Sequence, residues 1–583
     1  MKHNWIFTVL IPKVKFGFNS VKVLKHALIL TLLVINSLIS TSNVLIAQQV
    51  NISGRVTSND GEPIIGATVF VKGTTLGTLT DINGRYQLNN IPSNATLVFS
   101  FVGMSSEEID VNGRTVVDAV LTEETIGLEE VVVVGYGSQK KESVVGAISQ
   151  LSNEEILNSP AANITQAISG KISGVITSQG SGTPGADNAK IYIRGRATFA
   201  GDGQPLVLVD GVEREFSQLA PDDIQSISIL KDASATAVYG VRGANGVILV
   251  TTKRGHDRKP EVSLTTNWQI QMPTRLDTYL NSYQSVLLLE EALSNNNLPS
   301  QFSASDIEMY RKSSAGELSG VDAMLYPDVD WYKTILRRSA PAQRYNVNIQ
   351  GGTQRMRYFA SGEYYNQKGL FQDLSLDPHG NESNTNFLRY AFRANLDYLL
   401  TKNLTIAVNF GTRFEERTGS NASERDTFYE LNHTPGWLFP ISYVIGEEGA
   451  KKTLYGGSSQ YQNNIGAEFA IGGFYKATNT INETNLILDY NLNNLVKGLR
   501  FKGMASLDYN AYYNRRFSAD FATYELNDRN NYQSIDAYNK FNADTKLTYA
   551  GANNSNTMKI YFEYQLNYAR RFGVHDVTAM VLY

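Results

Sequence analysis

Hydrophobic and polar residues alternate strictly along the second half of the chain. In residues 404–415 one face carries Leu404, Ile406, Val408, Phe410, Thr412 and Phe414, and the other carries Thr405, Ala407, Asn409, Gly411, Arg413 and Glu415. Residues 389–398, 499–513 and 557–571 follow the same pattern. Strands of about ten residues with one apolar and one polar face are typical of a transmembrane β-barrel.

The segments between these strands alternate in length. Short turns are predicted near residues 351–354, 401–403, 493–498 and 573–576, and long loops near residues 272–342, 367–386, 417–472 and 518–556. A barrel sorts its connections in this way, with short turns at one end and long loops at the other. A soluble β-sandwich, the alternative, would not. Counting from residue 261 gives nine predicted strands.

The first half of the chain has shorter apolar segments and more turn residues than the second half. Residues 48–125 form short β runs punctuated by Asn-Gly and Asp-Gly pairs, which predicts a small sandwich. Residues 143–255 mix apolar runs with glycine-rich turns; strands are predicted at residues 224–230 and 247–251, and one or two helical turns at residues 233–239. The region is therefore predicted to be an α+β domain.

The first residues have the pattern of an export signal. Lys13, Lys15, Lys22 and Lys25 precede an apolar run at residues 27–39, which is shorter than the roughly 20 residues of a spanning helix. Cleavage is predicted after Ala47, and the alternative is an uncleaved anchor.

Composition narrows the function. The 52 basic and 56 acidic residues give a net charge of −4, which argues against a nucleic-acid partner. The absence of cysteine excludes disulfides, thiol catalysis and cysteine-ligated metals. The six histidines have no ligand spacing, and no nucleophile lies beside a base. We therefore expect neither an enzyme nor a metal or cofactor site.

Two motif regions carry a family resemblance. The segment of residues 54–86 resembles the carboxypeptidase-regulatory-like domain, a transthyretin-like sandwich. The later run from residue 193 to residue 253 resembles the plug domain of SusC/RagA-type TonB-linked outer-membrane proteins. The matching plug residues are Arg194, Gly195, Asp210, Gly211, Lys231, Asp232, Tyr239, Arg242, Gly243, Asn245 and Gly246.

The resemblance implies a mostly β fold in several parts. These are a signal peptide (1–47), the regulatory-like sandwich (48–125), a TonB-box linker (126–142), an α+β plug domain (143–258) and part of a transmembrane barrel (259–583). Family barrels have 22 antiparallel strands and a plugged lumen. Nine strands would leave an open edge in lipid, so we expect a fragment or a truncated product.

The resemblance also implies a function. It is TonB-dependent import of an oligosaccharide or peptide across the outer membrane, together with a SusD-like surface lipoprotein. The other implied partners are the TonB–ExbB–ExbD complex and outer-membrane lipid. The alternatives are a siderophore or cobalamin receptor, and a surface binding protein that does not transport.

Three sets of residues are predicted to act in this function. The TonB box is assigned to Glu130, Val131, Val132, Val133 and Val134, because an extended apolar run suits strand addition; the alternative is an ordinary plug strand. Ligand contact is predicted for the loop aromatics Trp437, Tyr443 and Tyr455, with packing inside the loops as the alternative. The charged plug residues are expected to pair with a polar barrel lumen: Arg194, Arg196, Lys231, Asp232 and Arg242.

Overall fold

The computed structural model describes most of residues 49–583. The residues it leaves out are 59, 75, 102–103, 123–130, 135–136, 141–147, 160, 162, 196–202, 377–381 and 448–449, and it gives only the backbone of residues 131–134 and 137–140. The predicted signal peptide and its cleavage site after Ala47 lie outside the described residues. The chain divides into two compact units, residues 1–130 and 131–583.

The first unit is a β-sandwich. Its strands are β1 (Gln49–Ser58), β2 (Thr68–Val71), β3 (Gly77–Leu79), β4 (Arg85–Pro92), β5 (Thr96–Ser100), β6 (Glu107–Asp110) and β7 (Ala119–Leu121). They form one sheet in the order β4-β1-β7 and a second in the order β3-β2-β5-β6. Buried Val, Ile and Leu side chains from both sheets form the core, in which the ring of Tyr86 meets Phe99 edge to face at 5.5 Å.

The second unit begins with the predicted plug. Its strands are β8 (Val131–Val134), β9 (Gly137–Lys140), β10 (Ile148–Ser152), β11 (Val175–Gln179), β12 (Ala189–Ile193), β13 (Leu206–Val209), β14 (Val212–Glu213), β15 (Ile224–Leu230) and β16 (Val247–Thr252). Its helices are α1 (Asn153–Leu157), α2 (Ile164–Ala167) and α3 (Ala233–Thr236), with 3₁₀ turns at Pro221–Asp223 and Ala237–Gly243.

The plug has an apolar core of its own. Five strands form a mixed sheet in the order β10-β15-β16-β13-β14, and β13 runs parallel to β16. One face of this sheet and the two short helices α1 and α2 bury a single cluster of Ile, Leu, Val and Phe side chains. The predicted strands and helical turn at residues 224–251 are confirmed to within a few residues.

Nine antiparallel strands form the largest sheet. They are β17 (Glu261–Gln271), β18 (Ala340–Gly352), β19 (Met356–Lys368), β20 (Asn386–Thr401), β21 (Leu404–Ser420), β24 (Gly473–Asn491), β25 (Leu499–Ser518), β28 (Thr548–Phe572) and β29 (His575–Leu582). Each strand pairs with the next of the nine along the chain, so the sheet is an uninterrupted meander. A meander of this kind is the predicted architecture of a barrel wall.

The predicted alternation is confirmed in this sheet. On β21 the side chains of Ala407, Asn409, Arg413 and Glu415 are buried, whereas Phe414 on the other face is exposed. Connections at one end of the strands are short, and those at the other end are long. We call the latter the long-loop end.

The long loops contain structure that the sequence analysis did not predict. Their elements are α4 (Ser282–Asn295), α5 (Ala304–Ser314), α6 (Gly320–Leu325), α7 (Trp331–Ile335), α8 (Glu424–His433), α9 (Ile465–Ile471) and the short strands β22 (Ser442–Ile445), β23 (Lys452–Tyr455), β26 (Thr523–Leu526) and β27 (Tyr538–Phe541). Two 3₁₀ turns, at Arg529–Asn531 and Ile535–Ala537, complete the loops. No helix in the described part of the chain is long and apolar enough to cross a membrane.

Candidate functional site

The Asp210-Gly211 pair of the plug motif forms a tight hairpin turn. Val209 pairs with Val212 across it, and both central residues have positive φ, 50° at Asp210 and 88° at Gly211. This is the geometry of a type I′ turn, which favours Asp-Gly. The Asp210 carboxylate also accepts hydrogen bonds from the Thr252 amide (3.0 Å) and hydroxyl (2.7 Å), so the turn fixes the end of β16.

The charged residues of the plug motif pair within the plug itself. Arg194 forms an ion pair with Asp232, Arg242 forms one with Glu213, and the Lys231 ammonium donates to the Ser149 hydroxyl at 2.7 Å. Arg194, Lys231 and Arg242 thus have partners inside the plug, and pairing of the charged plug residues with a barrel lumen stays a prediction. Arg196 lies outside the described residues.

Other residues of the plug motif take part in the internal packing of the plug. A Cβ on Gly243 would lie 2.8 Å from the Thr236 carbonyl oxygen, and one on Gly246 would lie 2.5 Å from the Ile193 Cδ1. Gly246 also has φ of 89°, which disfavours any other residue. Tyr239 is buried beside this turn, and Asn245 is half-buried. These positions therefore serve the internal packing of the plug.

Four other plug residues make the charged contacts with the nine-stranded sheet. Arg214 pairs with Asp508 through two hydrogen bonds, of 2.9 and 2.6 Å, and Arg254 pairs with Asp397 at 2.6 Å. Asp222 lies 3.9 Å from Arg344, and Asp223 lies 3.3 Å from Arg393. We call these four pairs the plug–sheet ion pairs. None of these four pairs was predicted from the sequence.

Three of these ion pairs are almost inaccessible to water. The side chains of Arg214, Arg344 and Arg393 are each 4% exposed. Burial raises the pKa of Asp223, whereas the nearby Arg393 and a hydrogen bond from Ser361 oppose this rise. Burial also lowers the pKa of Lys253, against the opposing charges of Asp222 and Asp223. Such pairs are costly to break one side at a time, because the remaining charge stays buried.

A cavity of about 270 Å³ lies at the long-loop end, between plug and sheet. The plug contributes Ser181 and Thr183, and the sheet contributes Arg417, Tyr475 and Arg516. Phe371 and Phe469 from the long loops add two aromatic rings, 5.0 Å apart. We call this space the loop-base cavity. Its mixture of aromatic, cationic and amide side chains suits a polar organic ligand.

The predicted loop aromatics lie elsewhere in the loops. Tyr443 is buried against Tyr538, Tyr455 packs on Ala467 and Ala470, and the ring of Trp437 meets Phe302 at 5.2 Å. This arrangement gives Tyr443 and Tyr455 a packing role inside the loops. Ligand contact by these three residues stays a prediction. Tyr475, Phe371 and Phe469, which line the cavity, were missed.

The predicted TonB box is described only in part. Glu130 lies outside the described residues, and the side chains of Val131, Val132, Val133 and Val134 are not described. The backbone of Val131–Val134 is a strand that pairs antiparallel with Gly137–Lys140.

Among the described residues, no group of three or more His, Cys, Asp or Glu is placed to hold a metal ion.

Comparisons with known proteins match two of the predicted parts. A CarboxypepD_reg-like domain model matches residues 52–133, and a TonB-dependent receptor plug domain model matches residues 140–247. The predicted domain boundaries at residues 47, 125, 142 and 258 stay predictions.

Similar proteins are known receptors. The TonB-dependent receptor P26 of Formosa agariphila is 35% identical over 362 residues, which are 60% of this chain and 33% of that protein. The TonB-dependent receptor SusC of Bacteroides thetaiotaomicron is 32% identical over 361 residues, which are 60% and 32%. The chain thus spans about a third of the length of the curated relatives it matches.

A solved structure has the same fold. The RagAB peptide importer in its open-open state superposes with a TM-score of 0.57 at 21% identity, over 77% of this chain and 48% of that one. At this identity the likeness concerns the fold alone.

Proposed function

We propose that this chain, which belongs to the SusC/RagA family of TonB-dependent receptors, takes part in TonB-dependent import of a nutrient across the outer membrane. The nutrient class is an oligosaccharide or a peptide.

The observation that carries the proposal is the polar contact between plug and sheet. The plug's own core is apolar, whereas its contacts with the sheet include the plug–sheet ion pairs, further hydrogen bonds and a small apolar cluster around Val212 and Met504. Water can replace ion pairs and hydrogen bonds when such an interface opens, but it cannot replace an apolar core. The plug can therefore shift as a unit without unfolding, as import past a plug requires.

The outward face of the sheet supports an outer-membrane location. Large apolar side chains on this face remain exposed, which a protein surrounded by water would normally avoid. They include Tyr390, Phe392, Leu396, Leu486, Leu488, Met558, Ile560 and Phe562. Contact with lipid would cover this band.

Energy for import would be delivered at strand Val131–Val134, which contains most of the predicted TonB box. TonB would add its own strand to Val131–Val134 by β-augmentation and pull on the plug, driven through ExbB and ExbD. A SusD-like lipoprotein would cover the long-loop end. The family relation supports both partners.

Substituting Val133 by Pro tests the coupling. Pro removes a backbone N–H and opposes strand pairing, so we expect labelled oligosaccharides or peptides to bind cells but to accumulate at least tenfold less. The full-length receptor would be expressed from its own gene in a strain deleted for it, and uptake would be followed with and without a protonophore.

Val133→Ile is the matched control, since Ile keeps the N–H and the β-branched shape. We expect it to import normally. Receptor levels in the outer membrane must be equal in both variants. If Val133→Pro imports like Val133→Ile, the box does not lie at Val131–Val134. If deletion of the gene changes no uptake and no binding, the importer assignment is lost.

A further inference from the structure

We propose that the loop-base cavity recognises a carboxylate group on a sugar ring of the imported ligand. This inference rests on the proposed import function and names the chemistry of the ligand. It is carried by three side chains, Arg417, Tyr475 and Arg516, which we call the Arg–Tyr–Arg row.

The row spans three neighbouring strands on the plug-facing side. Tyr475 on β24 is directly opposite Arg516 on β25, and the guanidinium of Arg417 on β21 lies over the Tyr475 ring at 5.4 Å from its centre. Tyr475 therefore lies between the two arginines, and all three line the loop-base cavity. An aromatic ring holds a guanidinium in place without neutralising its charge.

Neither arginine of the row has a carboxylate partner in the described part of the chain. The carboxylates nearest in sequence to Arg417 are engaged elsewhere: Glu415 accepts from Asn479 and lies near Arg413, and Glu416 pairs with Lys476 at 2.9 Å. By contrast, Arg500 near the other end of β25 pairs with Asp489. What distinguishes Arg417 and Arg516 from other arginines of these strands is that both line the cavity.

One carboxylate, that of Glu424, also lines the cavity, but it already accepts a hydrogen bond from the plug. Glu424 accepts a hydrogen bond from the Ser181 hydroxyl of the plug at 2.8 Å. Two guanidinium groups against one carboxylate leave an excess positive charge. Guanidinium groups bind carboxylate and sulfate oxygens with two parallel N–H donors, so the excess favours an anionic ligand over a neutral one.

Two buried amide groups favour a sugar as the carrier of the anion. The side-chain oxygens of Asn421 and Asn514 line the cavity, are buried and have no hydrogen-bond partner in the structure. Buried polar atoms in native proteins are normally paired, and ligand hydroxyl groups would pair them. The half-buried ring of Phe371 offers an apolar surface for the ring face of a sugar, and Phe469, which packs on it, is buried.

The volume limits how much of the ligand fits. Small-molecule pockets typically hold roughly 300–1,000 Å³, and this cavity holds about 270 Å³. One sugar unit of a longer chain fits such a space, and the remainder would extend toward the long loops.

The test compares three probes on the purified full-length receptor: trigalacturonic acid, neutral maltotriose and triglutamate. Binding would be measured by calorimetry for the wild type, Arg417→Gln and Arg516→Gln. We expect trigalacturonic acid to bind most tightly, and each substitution to weaken it about tenfold or more, since a hydrogen bond to a charged group is worth at least that factor. Raised salt should reduce the wild-type preference.

Arg515→Gln is the matched control. Arg515 neighbours Arg516 on the same strand, carries the same charge and is exposed. Alternate residues of a strand face opposite sides, so this variant changes net charge without touching the cavity. It should bind all three probes like the wild type. Equal thermal denaturation of the three variants excludes misfolding as the cause of a lost affinity.

Several results would overturn the inference. They are equal affinity for trigalacturonic acid and maltotriose, equal effects of Arg515→Gln and Arg516→Gln, and absence of binding by all three probes. Binding of triglutamate alone would replace the sugar by an acidic peptide and also overturn it. None of these results bears on uptake by Val133→Pro cells, so failure of this inference is distinguishable from failure of the import function.

Discussion

Gly54 lies where strand β1 passes closest to the backbone near β7. A Cβ at this position would lie 1.9 Å from the carbonyl oxygen of Val117 and 3.0 Å from the Tyr86 ring. Both neighbours are fixed, since the Tyr86 hydroxyl also donates to the Val117 carbonyl at 2.7 Å. No side chain can therefore fit at residue 54 unless the two strands move apart.

We expect Gly54→Ala to destabilise the sandwich by about 2 kcal/mol, within the range for overpacked cores. Amide exchange across residues 49–121 of the intact chain should become faster by about thirtyfold, the factor that this free energy corresponds to. Ser53→Ala, at an exposed position on the same strand, should leave exchange unchanged. Equal exchange in the two variants would contradict the close approach.

Single residues also show the limit of prediction from sequence. The charges of Arg194, Lys231 and Arg242 are visible in the sequence, but their partners depend on how turns fold back inside the plug. Conversely, Asp222 and Asp223 lie beside a predicted strand and could have been flagged as acids in an apolar context. Their partners, Arg344 and Arg393, come from distant strands and could not have been predicted.

At the scale of elements, the turn between β13 and β14 depends on its two residues with positive φ. A Cβ on Gly211 would meet only the Met504 Cε at 3.5 Å, an ordinary contact, so strain rather than a clash is the cost of a larger residue. We expect Gly211→Ala to destabilise this hairpin by about 1–3 kcal/mol. Amide exchange at residues 206–213 of the intact chain measures the change.

Asp210→Asn is the companion variant for this turn. Asn also tolerates positive φ, so the turn should persist, and any loss should appear at Thr252, whose amide and hydroxyl donate to the Asp210 carboxylate. If Asp210→Asn speeds exchange in the hairpin as much as Gly211→Ala does, the type I′ geometry is not what holds this turn.

Elements were predicted best where their pattern repeats. The strands of the nine-stranded sheet have a period of two that persists over many residues, as on β21 and β28. The loop helices were missed, although α5 begins with a capping box in which Ser303 accepts from the amide of Asp306 and the Asp306 carboxylate accepts from the amide of Ser303. That local pattern was available in the sequence.

At the scale of the whole molecule, the plug and the sheet meet through features that no single segment contains. The nine strands follow from counting alternations, but the Arg–Tyr–Arg row requires the register that sets Tyr475 opposite Arg516. The ion pair of Arg214 with Asp508 likewise joins a plug strand's end to β25. Register and docking are set by the packed structure and therefore lay beyond sequence patterns.

The pair of Arg214 and Asp508 allows a direct measurement of how the plug is held. Arg214→Ala leaves a poorly exposed carboxylate, and Asp508→Ala leaves a guanidinium that is 4% exposed. Each should weaken docking of the plug by about 3–5 kcal/mol, and the double variant should cost less than the sum, because no unpaired charge remains buried.

Cysteine labelling would report this docking. The 583 residues contain no cysteine, so Val212→Cys supplies the one thiol among them, where the plug packs against Met504 of the sheet. In the intact receptor, maleimide labelling at position 212 should be slow in the parent, fast in each single variant and intermediate in the double variant. Equal labelling rates in all four proteins would mean that this ion pair does not hold the plug. The import model would then have to rely on the contacts of Asp223 and Arg254 instead.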